Sequence, residues 1–402
     1  MSHSVAYARS LAIGFISLAL LFFAGSVVAT ESVGPMATGR SSHVAASLPD
    51  GRALVAGGFL AGSANATSSA EVYDPATGMF SPTAPLSAPR AYAAAARLPD
   101  GRVLVVGGIP VNSSPATVFD SAEIYDPVAG TWTATGTMSA GRQAAQALAL
   151  PSGMVLVIAG DSTGQGCELY DPATGTFAAT GSLAVSRSQF VASLLQDGRV
   201  LVAGGGQPGG PSLASGEIWD PITGAWSATG SMSSPRAAAS AITLGDGKVL
   251  VAGGTATYSW DSAVAAAELY DPATGVFSAA GNLSVPRNGH VAALLGDGNV
   301  IVTGGISAES SLTASIEYYS VAGGNWQSVG PMASPSTRHT ASTLLSGKVL
   351  IAGGAGGYTV AEIVDPACVP SMPTISPGSA SFPVGGGSGS VSQTHRNETD
   401  GR

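Results

Sequence analysis

One unit of 45 to 52 residues is written seven times into this sequence. Such repetition limits the chain to folds in which each unit packs on its neighbours. A glycine pair closes a Val/Leu/Ile-rich run at Gly57-Gly58, Gly107-Gly108, Gly204-Gly205, Gly253-Gly254, Gly304-Gly305 and Gly353-Gly354, and Ala159-Gly160 is the altered copy. A second signature follows each pair. It reads EVYDP from Glu71, EIYDP from Glu123, ELYDP from Glu168, EIWDP from Glu217 and ELYDP from Glu268. From Glu317 it becomes EYYS, and from Glu362 it reads EIVDP. Six residues past the Asp position stand Phe80, Trp132, Phe177, Trp226, Phe277 and Trp326. Gly-x-Met or Gly-x-Leu comes next in most units, and then an arginine.

Each unit holds four short strands. The first is Ala-rich and follows the arginine, as in Arg287 to Leu295. Pro-Asp-Gly at 49–51 and 99–101 then reverses the chain, because Asp and Gly tolerate the left-handed backbone of a tight turn. The second strand is the apolar run, the third carries Glu-x-Tyr-Asp-Pro, and the fourth carries the aromatic. Four strands in 50 residues suit a propeller blade and leave no room for a crossover helix. The expected fold is all-β, a seven-bladed propeller of four-stranded blades over residues 30–366.

Gly-Gly, then Tyr, then Trp or Phe six residues past an Asp resembles the Kelch repeat family, and the resemblance covers residues 30 to 366. Ala159 and Ser320 are its departures. The seventh unit ends near Asp365 without an aromatic strand. Ser32-Val33-Gly34-Pro35-Met36 repeats Ser328-Val329-Gly330-Pro331-Met332, so the N-terminal strand is expected to complete the last blade and leave no free sheet edge. Thr30 then occupies the aromatic position.

Residues 1–29 read as a secretory signal peptide. Arg9 supplies the positive start, Leu11 to Phe23 the apolar stretch, and Val27-Val28-Ala29 the small residues before a cut. An uncleaved anchor is the alternative; either reading places the remainder outside the cytoplasm, in the extracellular space, the periplasm or at the cell surface. No later segment is long and apolar enough to suggest a membrane span. Residues 367–402 turn Pro/Gly/Ser-rich and resemble the truncated start of a BACON-type immunoglobulin-like module. Formal net charge is −9, and no Lys/Arg cluster is present to displace counterions from phosphates, so a nucleic-acid partner is not expected. Cys167 and Cys368, the two cysteines, fall in the third repeat and the tail, a poor basis for a disulfide framework.

The recurring Arg40, Arg90, Arg142, Arg187, Arg236 and Arg287 could form a cationic ring for an anion. Alternatively each pairs with a repeat glutamate (Glu71, Glu123, Glu168, Glu217, Glu268, Glu317), which the repeat symmetry favours. The seventh unit has Ser336 there, with Arg338 offset by two. His43, His290 and His339 share one register; packing between blades is preferred to metal binding, and no metal or other cofactor is expected. Two residues past the arginine the units differ, with Ser42, Tyr92, Ala144, Gln189, Ala238, Gly289 and Arg338. The resemblance to peptide-binding Kelch domains points Tyr92, Gln189 and Arg338 at the channel mouth. Phe119, Tyr258, Trp260 and Tyr358 are candidate stacking surfaces in the loops.

Galactose-oxidase-like copper enzymes share the Kelch propeller. That chemistry needs a Cys–Tyr cross-link, a second Tyr, two His ligands and a Tyr-His pair. Here His43, His290, His339 and His395 follow Ser42, Gly289, Arg338 and Thr394, which argues against a copper site. The leading expectation is a non-catalytic module binding a protein or glycan on its loop face. The alternative is a channel-sited carbohydrate-active enzyme, such as a sialic-acid mutarotase-like epimerase.

Overall fold

The apolar run before each glycine pair forms a strand buried on both faces. In Ala53–Ala56, Val103–Val106, Val155–Ile158, Val200–Ala203, Val249–Ala252, Val300–Thr303 and Val349–Ala352 every residue is buried. This explains why these segments read as continuous β-branched and leucine runs rather than as an alternating pattern. A computed structural model describes residues 30–112, 117–207, 210–257 and 259–368. The expected signal peptide, residues 1–29, and the tail beyond residue 368 lie outside the described residues.

Each buried strand sits second in an antiparallel four-stranded sheet. In the first blade the order is Val44–Ser47, Ala53–Ala56, Ala70–Asp74 and Met79–Thr83. Seven such sheets are present, and their first strands contact one another in sequence order, with Val44–Ser47 returning to Thr340–Thr343. The described residues form a seven-bladed β-propeller of four-stranded blades. Its core is divided into seven layers between blades. Leu54, Val72, Val103 and Tyr125 fill the layer between blades one and two. Ile301, Ile316, Val349 and Ile351 fill that between six and seven.

The seventh blade is assembled from both ends of the domain, as the sequence predicts. Its order is Thr340–Thr343, Val349–Ala352, Ala361–Val364 and Glu31–Ser32. Ser32 lies opposite Glu362, and Ser328 lies opposite Glu317, so the closing strand uses the register of a continuous blade. Met36 and Val33 pack with Val55, Tyr73, Leu350 and Ile363 in the layer between blades seven and one. The third-strand Tyr and fourth-strand aromatic meet at ring separations of 4.8 to 5.1 Å in blades one, two, three, five and six. Val364 and Thr30 hold those positions in blade seven, which packs less apolar area there.

The glycine pair joins neighbouring blades. The second glycine donates its N–H to the carbonyl at the arginine position of the next blade, as from Gly58 to Arg90 at 2.7 Å and Gly354 to Arg40 at 2.9 Å. A Cβ on Gly57 would stand 2.3 Å from the Arg90 carbonyl oxygen. Close inter-blade approach and positive φ together demand glycine. Ala159 adopts φ 53° at the equivalent position in blade three, a conformation costly for a residue with a Cβ.

The first strands are shorter than the sequence suggests. The strand expected from Arg287 runs only over Val291–Leu294, and Arg287–Asn288 pairs separately with Ile306–Ser307. The cause is the residue two past the arginine, which turns left-handed and breaks the extended chain: φ is 53° at Ser42, 54° at Tyr92, 52° at Ala144, 54° at Gln189, 50° at Ala238, 59° at Gly289 and 56° at Arg338.

Candidate functional site

The recurring arginines are buried inside the blades. Arg40, Arg187, Arg236 and Arg287 are no more than 1% exposed. Each of the six meets the glutamate of its own blade, with N–O distances of 2.7 Å for Arg40–Glu71, 3.0 Å for Arg90–Glu123, 2.6 Å for Arg142–Glu168, 3.0 Å for Arg187–Glu217, 2.5 Å for Arg236–Glu268 and 2.6 Å for Arg287–Glu317. Other guanidinium N–H groups donate to backbone carbonyls and serine hydroxyls; Arg40 Nη1 donates to the Gly57 and Ser69 carbonyls at 2.9 and 2.8 Å, and Arg40 Nη2 to Ser69 Oγ at 3.0 Å. Each carboxylate also accepts N–H groups from the segment entering its blade, as Glu71 does from Ala37 and Thr38 at 2.7 and 3.1 Å. Burial pulls the Arg40 guanidinium below its usual range, and hydrogen bonding and charge from Glu71 oppose that shift. These pairs tie strand three to the blade entry and are buried inside the blades rather than forming an open cationic ring, although Arg187 touches the cavity described below and Arg236 Nε is left without a partner.

The three register-equivalent histidines are buried between blades and do not converge. His43 Nε2 meets Thr340 Oγ1 at 2.9 Å, His290 meets Ser240 at 2.8 Å and His339 meets Thr303 at 2.8 Å. Each bridges to the preceding blade. Desolvation drives their pKa values down to about 3, about 3 and about 4 respectively, so all three imidazoles are neutral at pH 7. Among the described residues no group of three or more His, Cys, Asp and Glu side chains gathers where a metal could sit. Cys167 is buried, its thiol pushed up to about 11 by desolvation.

The left-handed residues form the mouth of the channel. Their backbones join head to tail across blades: Ser42 N–H donates to Arg338 O at 3.0 Å, Tyr92 to Ser42 at 3.1 Å, Ala144 to Tyr92 at 2.8 Å, Ala238 to Gln189 at 2.8 Å and Gly289 to Ala238 at 2.9 Å. This fixes each Cα–Cβ bond at the rim, so the side chain chosen at each position decides what the mouth presents. Six of the seven line a cavity of about 630 Å³, open on the face where strand-two-to-three loops emerge. Pockets of that size suit a small ligand or one anchoring side chain.

Of the candidates named from sequence, Tyr92, Gln189, Trp260 and Arg338 line this cavity. The Arg338 guanidinium carbon lies 5.8 Å from the Tyr92 ring centre and 6.0 Å from that of Trp260, so the cation is held between two aromatic rings. Tyr92 is itself braced edge-on by Phe59 at 5.3 Å. Trp260 is 38% exposed, and its carbonyl accepts from Asn288 Nδ2 at 2.9 Å. Phe119 and Tyr358 do not line the cavity. Phe119 covers the Arg90 guanidinium at 4.9 Å, and Tyr358 packs on the Gly39 backbone. Tyr258 lies outside the described residues.

Sequence reasoning missed Gln143, Gln146, Asp161, Ser188 and Phe190, which line the wall together with the repeat residues Arg187 and His290. Phe190 occupies the histidine register in blade four, a substitution visible in an alignment of the seven units. Burial opposes ionisation of Asp161, but hydrogen bonds from Thr163 at 2.6 Å and Gly166 at 3.2 Å, with the Arg142 charge, hold its carboxyl below the usual range. The mouth therefore carries a cation on one side, a carboxylate on another, and amides and aromatic faces between them.

The family model for the Kelch motif matches residues 189–233. A search of curated proteins returns no match. Among solved structures, a fungal alcohol oxidase of the AA5 family in complex with copper superposes with a TM-score of 0.70 at 19% identity, covering 84% of this chain and 76% of that one. The structure of YjhT superposes with a TM-score of 0.59 at 15% identity, covering 74% of this chain and 99% of that one. At these identities the likeness is one of fold. The described residues of this chain do not fit the copper of the oxidase: each histidine gives its Nε2 to a hydroxyl between blades, no three His, Cys, Asp or Glu side chains gather, and the buried thiol hydrogen-bonds the Gln165 carbonyl.

Proposed function

We propose that this protein is a secreted or surface-exposed recognition module that binds a protein or glycan ligand at the channel mouth, without catalysis. The observation that carries the reading is the asymmetry of the cavity wall. The blades repeat their ion pairs, glycines and apolar strands almost without change, whereas the rim residues of the units that line the cavity are Tyr92, Ala144, Gln189, Ala238, Gly289 and Arg338. A repeating frame needs no such diversity; a surface complementary to one unsymmetrical ligand does. Trp260 and Tyr92 offer faces for a sugar ring or an aromatic side chain, and Arg338 offers two-pronged hydrogen bonding to a carboxylate.

The epimerase alternative needs an acid and a base exchanging protons with one substrate. Six blade glutamates are closed into ion pairs below the rim. Asp161 is engaged by Thr163 and Gly166. That arrangement favours orientation of a ligand over proton transfer to it.

A glycan array probed with the secreted full chain tests the reading. A hit should weaken roughly tenfold in Arg338→Ala and in Trp260→Ala, with unfolding temperatures unchanged. Tyr358→Ala, which alters a loop outside the cavity, should bind as the parent does. A hit indifferent to both cavity variants would place binding elsewhere and overturn the assignment. A blank array would remove the glycan half of the proposal.

A further inference from the structure

The seventh blade breaks the ion-pair pattern at one end only. Ser336 replaces the arginine, and its Oγ donates to Gly353 O at 3.0 Å, the acceptor equivalent to the one an arginine Nη1 takes elsewhere. Arg338 does not compensate, because it is held between Tyr92 and Trp260 at the rim. The glutamate is nevertheless retained. Glu362 is 2% exposed and accepts the Ala333 N–H at 3.2 and 3.0 Å. Among the described residues, no lysine, arginine or histidine forms a salt bridge with it. Desolvation pushes its carboxyl above the usual range, opposed by hydrogen bonds from the Thr30 side chain and the Ala333 N–H. A buried carboxylate without a counter-charge is costly.

Thr30 is where the missing cation can come from. The closing strand places Ser32 opposite Glu362, and the Thr30 hydroxyl reaches the same carboxylate. The α-nitrogen of a threonine is three bonds from its hydroxyl oxygen, roughly 3 Å away in a gauche rotamer. A cut after Ala29 is independently expected from the sequence, at the small residues that end the leader.

We infer that cleavage of the Ala29–Thr30 peptide bond creates the seventh cation: the new α-ammonium of Thr30 pairs with Glu362, so that processing completes the ion-pair set and fastens the closing strand. The step is a hydrolysis by an endopeptidase that accepts small residues before the cut. Water adds across the bond, Ala29 leaves as a carboxylate, and the Thr30 amine takes a proton. A free α-amino group titrates near pH ~8, and a carboxylate partner favours its charged form. In the uncut chain the same nitrogen is a neutral amide.

The test compares three versions of the 30–402 chain. One starts at Thr30, one keeps Ala29 in front and so moves the ammonium about 3.3 Å along the strand, and one starts at Thr30 with its α-amine acetylated. The extended and acetylated chains should each melt roughly 2–4 °C below the first. The difference should vanish in Glu362→Gln, which keeps an acceptor for Ala333, and in Ser336→Arg, which supplies the blade with its own arginine. Equal melting of all three versions would overturn the inference. So would a deficit of the same size in both variants, since that would mark a strand-end effect independent of the carboxylate.

Discussion

At the scale of single residues, the six buried Arg–Glu pairs are the costliest positions to disturb. Removing one partner strands a charge that already has backbone donors or acceptors arranged around it. Glu317→Gln should therefore cost about 3–5 kcal/mol in urea unfolding, because Arg287 would remain buried beside a neutral amide. A cost under 1 kcal/mol would show the pair to be dispensable. Ala159 points the other way. Its φ of 53° is where the other six blades carry glycine, so Ala159→Gly should raise stability by about 1 kcal/mol, read from the same unfolding curves. The pairing was legible in the sequence because a sevenfold pattern asks for a partner with the same period. The fate of Phe119 and Tyr358 was not: an aromatic in a loop does not reveal whether it faces a cavity, covers an arginine or lies on a glycine.

At the scale of strands, the first strand of each blade faces its neighbours across the channel, and three of these interfaces begin with a buried histidine. The direction of the pH effect follows from where those imidazoles titrate. An unfolded histidine takes a proton near pH ~6.5, whereas in the fold they do so at about 3 to about 4. The stability they contribute is complete above the unfolded value and is lost as pH falls toward the folded ones. Stability should decline between pH 6.5 and 4, by on the order of 1 kcal/mol per unit for each histidine. His43→Ala, which installs the residue of blades two, three and five (Ala93, Ala145 and Ala239), should flatten that slope even if it lowers the melting temperature at pH 7. An unchanged slope would exclude His43 as a contributor. Strand pairing was readable from Asp-Gly turns and apolar runs. The late start of the first strand was not, because six of the seven left-handed residues that delay it are not glycine.

At the scale of the whole ring, everything depends on one non-covalent seam. Six blades are continuous in sequence, while the seventh is held to its fourth strand by the pairing of Glu31–Ser32 with Ala361–Val364 and by Met36 and Val33 in the layer below. The repeated SVGPM segment made this closure visible in the sequence, and it also supplies an internal control. Met36 and Met332 occupy the same repeat position, are 2% and 4% exposed, and sit in the layers on either side of blade seven. If the seam is as well made as a continuous blade, Met36→Ala and Met332→Ala should cost the same within about 1 kcal/mol, each in the range of roughly 2–5 kcal/mol for a buried methionine. If the seam opens in solution, Met36→Ala should cost almost nothing. Deleting residues 30–36 would then also leave the melting temperature in place. With a closed seam, that deletion instead exposes the backbone edge of Ala361–Val364, and edge-to-edge pairing of chains should appear as dimers or larger species on size-exclusion chromatography.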